Sequence, residues 1–149
     1  MTAERITGGC LCGAVRYQAD GPPDHASLCH CRICQRHFGS AIGAYASFSR
    51  ARLRFTKGAA KIYRSSDFAQ RGFCADCGSP LTYEYDGAPE RISVTLGSLD
   101  HPERIPPSVH WGIESQVPWL HIDDDLPRHR TEDDPEFQEH AQAVAEGCG

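Results

Sequence analysis

Eight cysteines are the residues of this chain whose type and spacing point most clearly to chemistry. Seven of them fall into three tight groups: Cys10-Leu11-Cys12, Cys29-His30-Cys31-Arg32-Ile33-Cys34, and Cys74-Ala75-Asp76-Cys77. The eighth, Cys148, stands alone near the C-terminus, where we expect a free thiol. Thiolates at such short spacings can converge on one soft cation, most often Zn²⁺. The three groups together therefore predict metal binding, although each alone would be a weak signal.

Seven clustered thiols are three more than one closed tetrahedral site needs. Structural zinc sites use four protein ligands, whereas catalytic sites use three and keep one position for water or substrate. Cys29, Cys31 and Cys34 can ligate one ion from a single loop. The remaining four thiols would join the N-terminal segment to a distant turn; they are Cys10, Cys12, Cys74 and Cys77. The sequence therefore predicts two zinc ions per chain, one structural and one catalytic.

Three other interpretations of the cysteines stay open at this stage. Disulfides would require an oxidising compartment. Cys74 and Cys77 have the spacing of a thioredoxin-type redox pair, but Pro80 follows closely, which favours a turn into a strand over a helix. Every cysteine could also be purely structural, with His37 or another side chain completing the second site.

Composition limits the class of protein. Leu, Ile, Val and Phe make up 27 of 149 residues, about 18%, so the apolar core is thin and a metal staple would add needed stability. No apolar stretch is long enough to span a bilayer, and no secretory signal follows the N-terminus, so we expect a cytoplasmic protein with reduced thiols.

Charge is unevenly distributed along the chain, whose net charge is -5. Residues 123–149 carry nine acids and two arginines, whereas residues 1–122 have a net charge of only +2. That balance lacks the basic stripe typical of nucleic-acid binders, so nucleic acid is not an expected partner. The acidic tail is expected to be a solvated extension or an interaction arm.

Hydrophobic periodicity before residue 122 is mostly two, which predicts half-buried strands. The strand candidates are Ala14–Gln18, Ile42–Phe48, Leu53–Phe55, Lys61–Tyr63, Leu81–Tyr85 and Ile92–Leu96. Helical propensity is confined to short pieces near Ile33–His37, Ser98–Glu103 and the tail, where Asp134 is expected to cap a helix with Pro135 in its first turn. The pattern predicts a mostly β, antiparallel fold with short helices.

The ordered cysteine groups and their flanking residues resemble the glutathione-dependent formaldehyde-activating enzyme family, which includes the centromere protein V group. The likeness is carried by Gly8–Tyr17, Cys29–Cys34 and Phe73–Leu81, and extends through Lys57-Gly58, Gly97–Asp100 and His110-Trp111…Pro118-Trp119-Leu120. The resemblance implies a β-tent fold with a domain at 1–128, followed by an acidic extension at 129–149. It also implies a structural zinc on the four thiols and a second zinc on the three.

The family's activity joins glutathione to formaldehyde, a carbon–sulfur lyase reaction. A zinc ion with three thiolates is a weak Lewis acid, so an incoming thiol is a better fourth ligand than water. His30 and His37 are the nearest candidates for delivering a proton to the new alkoxide. Arg32 and Arg36 lie four residues apart and could bind the carboxylates of glutathione.

The resemblance further suggests that His110 and Trp111 line the pocket. The main alternative to an enzyme is a non-catalytic zinc module that binds another protein, and a redox or metal sensor is a third interpretation. The sequence does not indicate an oligomeric state.

Overall fold

Residues 4–147, the part of the protein that a computed structural model describes, form eleven strands in two sheets and two short α-helices. Cys148 lies outside the described residues. The strands are β1 (Arg5–Gly9), β2 (Arg16–Asp20), β3 (His25–Cys29), β4 (Gly43–Ser49), β5 (Leu53–Lys57), β6 (Lys61–Ser66), β7 (Ala69–Phe73), β8 (Pro80–Tyr85), β9 (Arg91–Thr95), β10 (His110–Trp111) and β11 (Arg128–His129). The helices are α1 (Arg32–Phe38) and α2 (Ala141–Glu146).

Two sheets of unequal size organise these strands. The small sheet has the order β1-β2-β5, and the large sheet has the order β11-β10-β3-β4-β9-β8-β7-β6. The neighbouring strands in the stretch β3-β4-β9-β8-β7-β6 are all antiparallel. At the other edge of the large sheet, β10 is parallel to both β3 and β11. The prediction of a purely antiparallel architecture is therefore wrong at this edge, because a long crossover after β9 brings β10 in along the direction of β3.

The large sheet has two different faces. Ala46, Phe48 and Val94 are fully buried on the face that packs with Tyr17 and other residues of the small sheet. Tyr45 belongs to a second buried cluster on the opposite face. Because side chains alternate along a strand, each central strand contributes to both faces. One face thus forms the main core, and the other is free to form a site.

Most strand predictions are confirmed, with shifted ends. Ala14–Gln18 is displaced to Arg16–Asp20, and five strands have no counterpart among the predictions: β1, β3, β7, β10 and β11. The piece around Ser98–Glu103 forms two single turns of 3-10 helix, Leu96–Ser98 and Pro102–Arg104.

The tail differs from its predicted form. Asp134 accepts a hydrogen bond from the Glu136 N–H, but it caps an isolated turn, and α2 begins only at Ala141. Within residues 4–147, neither helix has the length or apolar content needed to traverse a membrane.

Candidate active site

Four cysteines from the small sheet and the large sheet meet in one cluster. Cys10 and Cys12 lie in the connection from β1 to β2, and Cys74 and Cys77 lie in the turn from β7 to β8. Their four sulfurs lie within 4.8 Å of one another. The cluster therefore joins the small sheet to the large sheet across more than sixty residues of chain.

The spacing of these sulfurs fits a tetrahedral metal ion. Four sulfurs at 2.3 Å from a zinc ion would lie about 3.8 Å apart. Cys10 Sγ and Cys12 Sγ are 3.6 Å apart, and Cys12 Sγ and Cys74 Sγ are 3.8 Å apart. Hydrogen bonds from the Ser79 side chain, 3.1 Å from Cys77 Sγ, and from the backbone of Ser79 and Cys12 lower the pKa of Cys77 to about 5, which favours the thiolate that a metal requires.

The second cluster is formed where β3 meets α1. Cys29 ends the strand, and Cys31 caps the helix by accepting a hydrogen bond from the Cys34 N–H at 3.3 Å. The three sulfurs lie within 4.8 Å of one another, and no fourth Cys, His, Asp or Glu of residues 4–147 joins them. The two clusters correspond to the predicted groups of four and three thiols.

A buried arginine, which the sequence analysis missed, lies against the three-cysteine cluster. Arg71 is only 3% exposed, and its guanidinium lies 3.7 Å from Cys34 Sγ. It donates a hydrogen bond to the Tyr45 hydroxyl at 2.5 Å and stacks over the Tyr83 ring at 4.8 Å. Burial opposes the charged form, but Tyr45 and Cys34 hold the pKa of Arg71 above its usual value.

The same contacts act on the thiol. Hydrogen bonds from Cys29 and Cys31, together with the positive charge of Arg71, hold the pKa of Cys34 well below its ordinary value. A cluster of three thiolates holding a divalent ion would have a formal charge of -1, and a buried cation beside it suits that charge. The donor set and its electrostatic surroundings therefore fit a soft divalent metal.

His30 takes part in a buried hydrogen-bonded chain. Its Nε2 lies 2.8 Å from His110 Nδ1, and His110 Nε2 lies 2.9 Å from the Asp124 carboxylate. His30 Nδ1 is buried without a partner. This chain fixes the loop between Cys29 and Cys31 against β10, and Asp124 is a further residue that sequence reasoning missed.

The other predicted site residues flank the cluster in different ways. His37 is half-buried, and burial lowers its pKa to about 4; its Nε2 has no partner. Arg32 bonds Gln35 at 2.5 Å, and both Arg32 and Arg36 lie against Gly147 at the end of the tail. Trp111 lines the cavity described below, whereas His30, His37, His110, Arg32 and Arg36 do not. The chemical roles predicted for these residues stay predictions.

A cavity of about 360 Å³ opens beside the three sulfurs. Its floor is the free face of the large sheet, and the three cysteines and Arg71 lie at one end. Trp111 and Gly112 close one side. Gly112 has a left-handed backbone with φ of 64°, and a Cβ there would lie 3.0 Å from the Cys31 nitrogen, so this position favours glycine. The seven-residue helix α1 contributes Ile33 to the wall.

The C-terminal tail, expected to be solvated, forms the roof of this cavity. Phe137 packs on Tyr85 with ring centroids 4.6 Å apart, and His140 stacks on Phe68 at 4.0 Å. Val144 of α2 is buried in the same cluster. The tail is acidic in composition, but its few apolar side chains are those that face the sheet.

Comparison with known proteins identifies relatives of this chain. A family model described as glutathione-dependent formaldehyde-activating enzyme matches residues 5–115. An uncharacterized lyase of Schizosaccharomyces pombe is 33% identical over 78 residues, which cover 52% of this chain and 56% of that protein. The match thus spans little more than half the length of that relative.

A Halomonas elongata protein, provisionally named a glutathione-dependent formaldehyde-activating enzyme, is 28% identical over 127 residues, covering 79% of this chain and 81% of that protein. The crystal structure of a Rhodobacter sphaeroides protein has the same fold, with a TM-score of 0.53 and 21% identity over 82% of this chain and 98% of that one.

Proposed function

The chain belongs to the glutathione-dependent formaldehyde-activating enzyme family, and from this premise we propose that it is a zinc-dependent carbon–sulfur lyase with a β-tent fold. The proposed reaction joins a thiol, glutathione, to an aldehyde such as formaldehyde. Because the thiols must stay reduced to bind metal, we place the protein in the cytoplasm.

One observation carries the proposal. The three sulfurs of Cys29, Cys31 and Cys34 are joined by no fourth Cys, His, Asp or Glu among the described residues, and they border a cavity large enough for a small molecule. Three protein ligands with an open position are typical of catalytic zinc sites, whereas four thiols are typical of structural ones. The two clusters therefore support a division between an exchangeable site and a closed site.

The residues that would hold the metals are the cysteines themselves. When bound at the three-cysteine site, zinc would lower the pKa of an entering thiol and hold its sulfur in position. Zinc at the four-cysteine site would act as a clip between the two sheets, contributing its binding free energy to folding.

Arg71 and Tyr45 would serve the chemistry of the aldehyde. In the reaction the sulfur forms a bond to the carbonyl carbon, the π-electron pair moves to the oxygen, and that oxygen takes up the proton that the thiol released. The Arg71 guanidinium, buried beside Cys34, would stabilise the developing alkoxide. Tyr45, bonded to Arg71, would orient that guanidinium. His30 and His37 remain the proposed proton donors; because neither lines the cavity, each would pass its proton through an intervening group.

The proposal is tested by measuring zinc content and glutathione-dependent formaldehyde consumption in the same preparations. Wild-type protein should hold about two zinc ions per chain and consume formaldehyde only with glutathione. Cys31→Ser should lose one zinc and the activity, while Ser40→Ala, at an exposed position beyond α1, should keep both. If glutathione neither reacts nor perturbs the metal in the wild type, the chain is a non-catalytic zinc module.

A further inference from the structure

The end of the cavity opposite the three sulfurs carries charges of both signs. Arg91 supplies the positive charge on the floor of the cavity, beside His25, whose pKa is lowered by burial, and Asp134 and Glu136 supply negative charges on the roof. A cavity end with only cations would suit a lone carboxylate. One with both signs suits a group that itself carries an ammonium and a carboxylate.

The register of the sheet fixes how far this end lies from the sulfurs. His25 and Cys29 belong to the same strand and, being four residues apart, face the same side. At about 3.4 Å per residue their Cα atoms are about 14 Å apart. A ligand that touches both ends must therefore be long, with its sulfur and its charged group well separated.

Hydroxyl groups cover the floor between the two ends. Ser47 lies opposite His25, Ser93 lies opposite Ser47, and Tyr83 lies opposite Ser93. Ser47 Oγ and Ser93 Oγ are 2.6 Å apart. This polar row replaces the apolar side chains expected on a buried sheet face, so the floor suits the amide groups of a peptide-like ligand.

The charged groups are only loosely paired with each other. Arg91 Nη2 lies 3.7 Å from Glu136 Oε1, beyond normal hydrogen-bond length, and the two side chains are 45% and 39% exposed. A second loose contact joins Arg91 Nε to Glu90 at 3.7 Å. Donors of Arg91 and oxygens of Glu136 are thus available to a ligand placed between them.

We infer that this end of the cavity binds the α-carboxylate and α-ammonium groups of a γ-glutamyl thiol, with Arg91 holding the carboxylate and Glu136 the ammonium. The inference rests on the proposed function and specifies which part of the thiol is recognised. The γ-glutamyl arm of glutathione carries its carboxylate two bonds farther from the sulfur than the glycyl arm, and it alone carries an ammonium group. Both properties match the far end of the cavity.

The C-terminal tail supplies Glu136, the acidic residue of this subsite. Glu136 lies outside the 5–115 segment that matches the family model. It is held in place by Phe137, which packs on Tyr85, and by the Asp134 side chain, which accepts its backbone N–H at 2.9 Å. The roof residue that selects the ammonium is thus supplied by this chain's C-terminal segment.

The test measures dissociation constants of three thiols: glutathione, γ-glutamylcysteine and cysteinylglycine. Wild-type protein should bind the first two with similar affinity and the third more weakly. A charge-assisted hydrogen bond contributes on the order of 1.5–3 kcal/mol, so Arg91→Gln should raise the dissociation constants of the two γ-glutamyl thiols by roughly 10-fold or more. It should change cysteinylglycine less than about twofold, and the matched variant Arg54→Gln, on the small sheet, should change none of them.

Glu136→Gln separates the ammonium contact from the carboxylate contact. It should weaken the binding of glutathione. The binding of glutathione acetylated on the γ-glutamyl nitrogen, which has no ammonium group, should not change. If Arg91→Gln affects all three thiols equally, or none of them, the inference is overturned while the proposed function stands. If no thiol binds the wild-type protein, both are overturned.

Discussion

The guanidinium of Arg71 lies 3.7 Å from the sulfur of Cys34, at a position that is 97% shielded from solvent. A buried cation is tolerated only where an anion compensates it. The anion that compensates Arg71 is the Cys34 thiolate, and the neutral Tyr45 hydroxyl accepts a hydrogen bond from the guanidinium. The three-cysteine cluster and Arg71 therefore form one electrostatic unit, in which each needs the charge of the other.

Replacing Arg71 should damage both the metal site and the fold. Arg71→Met keeps much of the side-chain volume but leaves the thiolates without their cation, which should cost about 3–5 kcal/mol of unfolding free energy. Urea denaturation measures the loss of unfolding free energy. A zinc count should find about one zinc ion per chain in Arg71→Met. Arg64→Met, on the exposed face of β6, serves as the matched control; equal effects of both variants would contradict the electrostatic unit.

The two cysteine clusters should differ in their contribution to stability. Cys74→Ser breaks the clip between the sheets and, at a buried position, should destabilise the fold by more than about 3 kcal/mol or prevent soluble expression. Cys31→Ser should remove the second metal at a smaller cost, because its cluster closes only a short loop. Thermal denaturation of both variants compares the two effects, and similar losses would contradict the division of roles.

The metal-ligand pattern could be predicted from sequence because it is a local chemical signature. Thiol groups at short spacings have few other uses in a reducing compartment, so the groups of four and three thiols follow from counting. Arg71 could not be found in this way. It stands in β7 between Gln70 and Gly72, and a charged residue facing a buried site breaks the apolar alternation by which strands are recognised.

Two other candidate site residues could not be found from the sequence, for different reasons. Asp124 belongs to a run of three aspartates, and only its distance to His110 in the folded chain distinguishes it. Glu136 lies in an acidic tail whose composition indicates a solvated segment. The tail nevertheless packs against the sheet through Phe137 and Val144. Tertiary contacts of a few apolar side chains outweighed the average character of the segment.

An ion pair on the small sheet, next to the four-cysteine cluster, should make stability depend on pH. Arg16 and Thr7 donate hydrogen bonds to Asp100 at 2.9 and 2.6 Å, and they lower its pKa to about 2. A carboxyl whose pKa is lower in the folded state stabilises the fold above the unfolded pKa, near 4, and this contribution is lost as the pH falls towards 2.

Asp100→Asn should therefore cost about 1 kcal/mol at pH 7, a modest value because both side chains of the pair are about one third exposed. The difference in unfolding free energy between the two proteins should shrink between pH 5 and pH 3. Urea titrations at several pH values measure it. A constant difference across this range would show that Asp100 acts through packing alone.

The packing of the tail as the roof of the cavity should depend on the side chain of Phe137. Phe137→Ala removes the contacts with Tyr85 and Phe68, so the tail should open locally while the sheets stay folded. Hydrogen exchange in residues 131–146 should become at least 10-fold faster, with the protection of β4 and β9 unchanged. Glu132→Ala, an exposed change in the same segment, should leave exchange as in the wild type. Unaltered exchange in Phe137→Ala would mean that other contacts hold the roof.

The central claim is that one metal site is closed and the other accepts an external thiol. X-ray absorption at the zinc edge counts sulfur ligands in the intact two-zinc protein. Without added thiol, the count should average about 3.5 sulfurs per zinc ion. It should rise to about 4 with glutathione and stay unchanged with S-methylglutathione, which has no free thiol. An average of about 4 before any thiol is added, or no rise with glutathione, would contradict the account.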